Sequence, residues 1–492
     1  MRKSGRILGL RRVLRSELLT SPPAILADTD TAGPRLFLVP IVIFLVSWGL
    51  MTHGKPSVTG DGPHYLMVTQ SLVADGDLDV ANNYAADEGR LFGADGLGPG
   101  HFMQATPDGR HLPVHDIGLS ILVLPAYRVA RAVAPLVPAP VLKRFRMPPG
   151  LFVYSVVCLF MLLITCLAWW FVARALREYL SGGMVALVVL VIALAPPLIA
   201  NGSAVFPEVL ALLVVALVVA KCYGREKLPL PMLLFAIGCL PWFHRKFVAV
   251  AAGLLVLLVL QNRDDWRRHL GRRSIEVLSL AVLPTALLLV WTYWIWGSLG
   301  GPLTEGHVPL SLSTFIIGGP GIFFDREFGV VPWAPAILLL PLAWALAGKR
   351  GLPLLVPALL IYVPNAAHDQ WWGGWGPVGR FLVPEAPLAA LAVALAPVSA
   401  LPRTLLRFLV CCQVLMTAWV WQHPRVLWNF GDGHNRLLES LPYGHLLQHA
   451  LPSYPTDPAA WMVGCLWLAA TAVGSVVAFR RIKRHSSMRV SG

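Results

Sequence analysis

Residues 151–173 and 184–200 contain no Asp, Glu, Lys or Arg. An α-helix needs roughly 20 mostly apolar residues to cross about 30 Å of hydrocarbon, and in lipid only structures that satisfy their own backbone groups survive. The chain is 492 residues long, and 13% of them are charged, about half the soluble norm of about 25%. These features specify an all-α polytopic membrane protein. Spans are expected at residues 36–52, 151–173, 184–200, 205–220, 229–242, 247–261, 275–297, 331–347, 352–366, 381–400, 405–422 and 459–479, a bundle of about twelve.

The net charge of +14 would suit nucleic acid if it were gathered on one soluble face. It is spread otherwise. With the N-terminus in the cytoplasm, the inner side collects 26 of the 40 Lys and Arg but 8 of the 26 Asp and Glu, leaving 14 and 18 outside. That is the positive-inside bias, so the charge reports topology, and nucleic acid is not an expected partner. Both termini are expected in the cytoplasm: a basic leader over 1–35, one transmembrane domain over 36–480 with an outer loop at 53–150, and a basic tail over 481–492. The first span begins late and lacks a small-residue cleavage site after it, so it reads as a signal anchor. The seven cysteines form no CxxC pair and read as small core residues. Asn201-Gly-Ser203 matches a glycosylation sequon, a short pattern that chance often supplies.

The stretch from Pro229 to Gln261 is too long for one span, and each half is short for its own. Both flanks are basic, so the stretch is expected to be a hairpin with His244, Arg245 and Lys246 at its tip, within the membrane on its outer side. Ionisable groups there mark a site, unless they snorkel to the interface.

The outer loop at 53–150 carries its own helix signals. Asp61-Gly-Pro-His64-Tyr65 opens one: Pro63 suits a first turn, Tyr65, Val68 and Leu72 share one face, and His64, Gln70 and Ser71 lie away from it. This reads as an amphipathic helix in the interface, with Asp61 either an N-cap or a functional acid. Asp75, Asp77 and Asp79 alternate in a turn that could hold a divalent cation or be solvated. A second amphipathic stretch begins at His115 and Asp116. Further along, Asp325, Arg326 and Glu327 adjoin a helix start. The segment 368–381 gathers Trp371, Trp372 and Trp375 with Gly373, Gly374, Gly376, Gly379 and Arg380. Tryptophan suits an interfacial belt, whereas the glycines point to close backbone approach to a sugar ring or phosphate. Glu208 begins a span, where the helix dipole competes with function as its explanation.

On one side of the membrane these residues assemble carboxylates (Asp61, Asp116, Glu208, Asp325) and cations (Arg245, Lys246, Arg380). A substrate that is half lipid and half polar head suits them: cations for a phosphate, a carboxylate as base for a hydroxyl acceptor.

Six stretches in order, 61–65, 75–84, 115–127, 240–246, 324–335 and 373–387, resemble the GT-C class of polytopic glycosyltransferases. The layout is similar to polyprenyl-phosphate-sugar users of the protein mannosyltransferase and lipid A aminoarabinose transferase type, and to bacterial membrane proteins with "GDEPHY" after the first helix. The resemblance implies a GT-C-like bundle with juxtamembrane helices in the first outer loop, and an inverting transfer from a polyprenyl-phosphate sugar to an envelope glycan, lipid or protein hydroxyl. It implies that Asp61 acts as the catalytic base or helps bind a metal. It brings His64, Tyr65, His115, Asp116, Glu208, His244, Arg245, Lys246, Asp325, Arg326, Trp372 and Arg380 as substrate-binding candidates, among membrane lipids of a bacterial cytoplasmic membrane. No cofactor is required, though Mg or Mn could assist. One departure stands out: the family follows the aspartate with glutamate, and here the residue is Gly62, so a second carboxylate role is missing or falls to Asp116 or Glu208. Two other readings remain: a transporter or flippase of lipid-linked sugars, disfavoured by the lack of internal repeats, and a degenerate scaffold.

Overall fold

The computed structural model describes residues 37–52, 58, 60–302, 310–374, 376–397, 403–428, 430–454, 456–457 and 459–490. The expected leader and Trp375 lie outside them. The chain is an all-α membrane protein, with one two-stranded antiparallel ribbon among the described residues. Helix α1 (Leu38–Ser47) enters the outer segment, which holds α2 (Gly62–Ala74), the ribbon β1 (Met103–Ala105) and β2 (His111–Pro113), and α3 (Gly118–Val133). Then comes α4 (Pro149–Leu176), against which α1, α3 and much of the remaining bundle pack.

Beyond it, α5 (Gly182–Ala193) and α6 (Pro196–Ser203) are bent by 77° at Pro196 and Pro197. Next come α7 (Glu208–Tyr223), α8 (Leu230–Phe243), α9 (Phe247–Gln261) and α10 (Leu270–Trp296). The last group is α11 (Leu312–Phe324), α12 (Leu340–Ala347), α13 (Leu352–Ala366), α14 (Ala386–Leu395), α15 (Arg403–Gln422) and α16 (Ala460–Val490).

Among the described residues, five helices are long and apolar enough to cross a membrane, or six if the bent α5–α6 pair is one span. This falls short of twelve uninterrupted spans, for local reasons. The expected 184–200 span breaks at the double proline, because proline removes a backbone donor and clashes with the preceding turn. The expected 331–347 span is only the short α12 preceded by a 3₁₀ turn. Helix α11 was not among the expected spans, and it contains Gly318, Gly319, Pro320 and Gly321. Those glycines are packing features: a Cβ on Gly321 would sit 2.7 Å from the Trp371 ring.

The α8–α9 pair is the hairpin that charge and length imply. Lys246 at its tip reaches Glu208 at the start of α7, and Gln261 at the end of α9 bonds Tyr223 at the end of α7, 2.8 Å. Helix α9 therefore runs alongside α7 in the same direction, and α8 returns against both. At about 1.5 Å per residue, its 15 residues match the 16 of α7.

The outer segment differs from an interfacial layer. All of residues 62–71 in α2 are buried, including His64, Gln70 and Ser71. The apparent polar face of α2 is spent internally: Tyr127 Oη donates to Gln70 Oε1 at 2.7 Å, and Ser71 Oγ donates to Asp77 Oδ1 at 3.0 Å. Ser120 and Thr69 cross-bond α2 and α3 through backbone carbonyls. Helix α3 buries Leu119, Val123, Tyr127 and Ala130 at helical spacing and leaves Ile121 and Val129 exposed, an apolar outer face compatible with lipid.

Close crossings fix the tip of the hairpin over this segment. A Cβ on Gly118 would lie 2.5 Å from the Trp242 carbonyl oxygen, with no flexible side chain to yield. Gly118→Val should therefore cost about 1–3 kcal/mol, read as a lower melting temperature of the purified protein in detergent.

Candidate functional site

Asp61 occupies the N-cap position of α2, yet its side chain makes no capping bond. The backbone carbonyl already takes the His64 and Tyr65 amides, at 3.0 and 3.1 Å. The free carboxylate reaches Arg380, with Oδ2 2.6 Å from a terminal guanidinium nitrogen. Arg380 Nε donates to Glu208 Oε1 at 2.9 Å, and Lys246 Nζ meets the same oxygen at 2.5 Å. Four segments far apart in sequence thus meet in one chain of charge, Asp61–Arg380–Glu208–Lys246, two acids and two bases. Arg380 and Glu208 are 4% and 1% exposed, so the cluster is screened from water.

Aromatic faces support the cations. Phe206 lies 4.0 Å from the Arg380 guanidinium, and Phe381 lies 4.0 Å from Lys246 Nζ. The turn bearing Arg380 is held by Asn201 Nδ2, which donates to the Val378 carbonyl at 3.0 Å and to Pro197 at 2.8 Å. Asn201 is fully buried and its amide is committed, so the sequon is a packing feature. Gly373, Gly374 and Gly379 have positive φ. The close approach they allow is to this chain itself: a Cβ on Gly379 would lie 2.9 Å from Val330. The sequence marks Asn201 only as part of a sequon, and nothing local links it or Phe206 to Arg380.

Arg245 is separate from the other cations. Its backbone N–H and Nε both bond Asp116, at 2.8 and 2.9 Å, and a terminal nitrogen donates to the Gly300 carbonyl at 2.7 Å. This pair edges a small pocket of about 20 Å³, walled by Leu288, Trp291, Ile295 and Trp296 of α10.

Between the two groups lies a stack of rings. His64 packs on Phe102 at 3.6 Å and bonds Tyr84 Oη through Nδ1 at 2.6 Å. Tyr65 stacks on His115 at 5.1 Å, and His115 lies 6.2 Å from His244. Burial drives the His64 and His115 imidazoles down, to about 3 and about 4, so both are neutral near pH 7. For Asp61, burial alone would push the carboxyl up. Arg380 outweighs it, with help from His115 and Lys246, and holds Asp61 below the ordinary aspartate range.

Asp325, Arg326 and Trp372 are not part of this cluster. Asp325 accepts backbone amides of Glu327, Phe328 and Tyr454 at 2.8–2.9 Å. Arg326 bonds the carbonyl oxygens of Leu451 and Pro452 through side chain and backbone, and Glu327 collects the amides of Phe430, Gly431 and Gly433. The three residues tie the segment 430–454 to the end of α11. Burial outweighs the amide donors and moves the Asp325 carboxyl up to about 7. Trp372 packs with Phe328 and Trp371 in a small apolar cluster.

The aspartates at 75, 77 and 79 bond their own turn and the adjoining helix: Asp75 takes Asn82 and Asn83, Asp77 takes the Asp79 amide, and Asp79 takes the Ala81 amide. Among the described residues, no three His, Cys, Asp or Glu side chains lie close enough to share an ion.

Gly62, where the resembled pattern has glutamate, is buried: a Cβ there would touch Tyr154 Oη at 3.4 Å and Val205 at 3.6 Å. The carboxylate that shares a cation with Asp61 is Glu208.

No protein-family profile matches the sequence, and no curated protein matches it. Two solved structures are similar in backbone. ArnT from Cupriavidus metallidurans in the apo state has 16% identity and a TM-score of 0.49, over 92% of this chain and 73% of that one. The same protein bound to undecaprenyl phosphate has 16% identity and a TM-score of 0.45, over 94% and 73%.

Removing one member of a buried ion cluster strands its partners. Glu208→Gln should cost about 3–5 kcal/mol, because Arg380 and Lys246 then share only Asp61. The check is thermal unfolding in detergent, in which Asp61→Asn should be less damaging because Asp61 is the more exposed end of the chain of charge, 18% against 1%.

Proposed function

We propose that the chain is an inverting glycosyltransferase that takes a sugar from a polyprenyl-phosphate donor and delivers it to a hydroxyl of an envelope acceptor outside a bacterial cytoplasmic membrane. The observation that carries this reading is the joined Asp61–Arg380–Glu208–Lys246 cluster, which sets a reachable carboxylate beside two cations in a dry surround. Asp61 takes the proton of the acceptor hydroxyl as that oxygen attacks the anomeric carbon. The bond from that carbon to the phosphate oxygen breaks, and polyprenyl phosphate leaves with the electron pair. Arg380 and Lys246 stabilise the charge that grows on the phosphate. No step is routed through a metal.

The cluster also links donor binding to base strength. Arg380 depresses the basicity of Asp61 while it holds the carboxylate. A phosphate that draws the guanidinium toward itself leaves burial to act on Asp61 and makes it a better base. In this reading both termini are cytoplasmic and α2 faces out. The shorter apolar helices α1, α8, α9 and α13 cross as well in this reading.

The test is mass spectrometry of envelope glycolipids and glycans from a deletion strain complemented with wild type or Asp61→Asn at matched expression. A species restored by wild type alone is expected. Equal restoration by both would remove Asp61 from the mechanism and favour a carrier or an inactive scaffold. Where turnover can be followed in vitro, the pH profile adds a second check. Loss of the Asp61 base by protonation belongs below the ordinary aspartate value of about 3.9 in the wild type. In Arg380→Gln the acid limb of the residual activity should move upward, since burial then acts unopposed.

A further inference from the structure

We infer that Tyr65, with His115 and Glu208, reads the hydroxyl groups of the transferred sugar, and that Arg380 and Lys246 hold the phosphate that carries it. The inference rests on the donor reading above and divides its residues by ligand chemistry.

Three buried polar atoms around the charged cluster have no hydrogen-bond partner among the described residues: Tyr65 Oη, His115 Nε2 and Glu208 Oε2. Buried polar groups are nearly always paired, so three orphans in one neighbourhood call for an explanation. Their proximity follows from bonds already described. Tyr65 stands one helical turn after Asp61, with its amide on the Asp61 carbonyl at 3.1 Å, and so shares its face of α2. Its ring stacks on His115 with an interplanar angle of 19°. Glu208 spends Oε1 on both Arg380 and Lys246, which leaves Oε2 as the orphan. Tyr65 and Glu208 are each 1% exposed.

The kinds of atom identify the occupant. A carboxylate oxygen only accepts hydrogen bonds, so Glu208 Oε2 would repel a phosphate and needs a donor. The Tyr65 hydroxyl is kept protonated by burial first and the nearby Asp61 second, so it donates. A neutral imidazole nitrogen does either, according to its tautomer. A ligand that must donate to one partner and accept from another, without net charge, is a polyol. Tyr65 Oη, His115 Nε2 and Glu208 Oε2 are the groups that a ring of hydroxyls would complete. A site built to bond a hydroxyl rejects a ligand lacking it far better than an apolar pocket discriminates by size.

Tyr65→Phe removes one orphan oxygen and keeps the stacked ring. The purified full-length protein, in wild-type and Tyr65→Phe forms, is titrated with undecaprenyl phosphate and with a panel of undecaprenyl-phosphate-linked hexoses and pentoses. The wild type should bind at least one sugar-bearing lipid more tightly than the bare carrier. Tyr65→Phe should weaken that lipid about threefold to tenfold, leave the bare carrier within about twofold, and melt no lower than wild type, since it deletes an unpaired buried group. His115→Phe should act in the same direction. Equal weakening of both lipids, no weakening of either, or a lower melting point without loss of sugar preference overturns the assignment and leaves the donor reading standing. Failure of the wild type to bind any of these lipids overturns both.

Discussion

Everything else at the site depends on one guanidinium. Arg380 joins the first outer helix to the start of α7, and through Glu208 it reaches the tip of the α8–α9 hairpin. A buried cation is tolerated only where opposite charge and hydrogen bonds replace the water it gave up. Here that replacement comes from Asp61, Glu208 and the ring of Phe206. Removing any of these segments would leave charge uncompensated in a dry interior, so the cluster both assembles the site and constrains the bundle around it.

The acids of and around the cluster divide by what they bond. Asp61 and Glu208 bond cations, and one remains reachable from outside. Asp116 bonds Arg245 at the edge of the α10 pocket. Asp325 and Glu327 bond backbone amides and serve the chain itself. A carboxylate saturated by the amides of its own fold has little capacity left for a substrate, whereas one held by a side-chain cation can exchange that partner for a phosphate. This difference separates a catalytic candidate from a loop anchor more firmly than membrane depth or sequence context does.

Much of the charged cluster was legible residue by residue. Asp61, Glu208, Lys246 and Arg380 are all picked out by charge at the border of an apolar run, and the hairpin between residues 229 and 261 follows from length and flanking charge. The errors share a physical cause. Asp325 and Trp372 have the same residue types and the same border position, and only their neighbours in space show that they pack and tie loops. Helix α2 has an alternating polar face that reads as interfacial, but Tyr127 and Asp77 consume those polar groups from inside. The glycines in 373–379 read as a ligand cradle, and Gly379 instead approaches Val330 of the chain itself.

The sequence by itself determined the solvent of this protein and the kind of elements that can exist in it. Long uncharged runs leave helices as the means of satisfying the backbone in lipid, and the distribution of Lys and Arg biases their orientation. It also nominated the charged residues worth attention. Only the tertiary structure decided which acid meets which base, because that choice depends on contacts across 172 residues from Glu208 to Arg380. Spacing in sequence carries no distance in space across a bundle, so partnership, and with it the chemistry, is settled by packing.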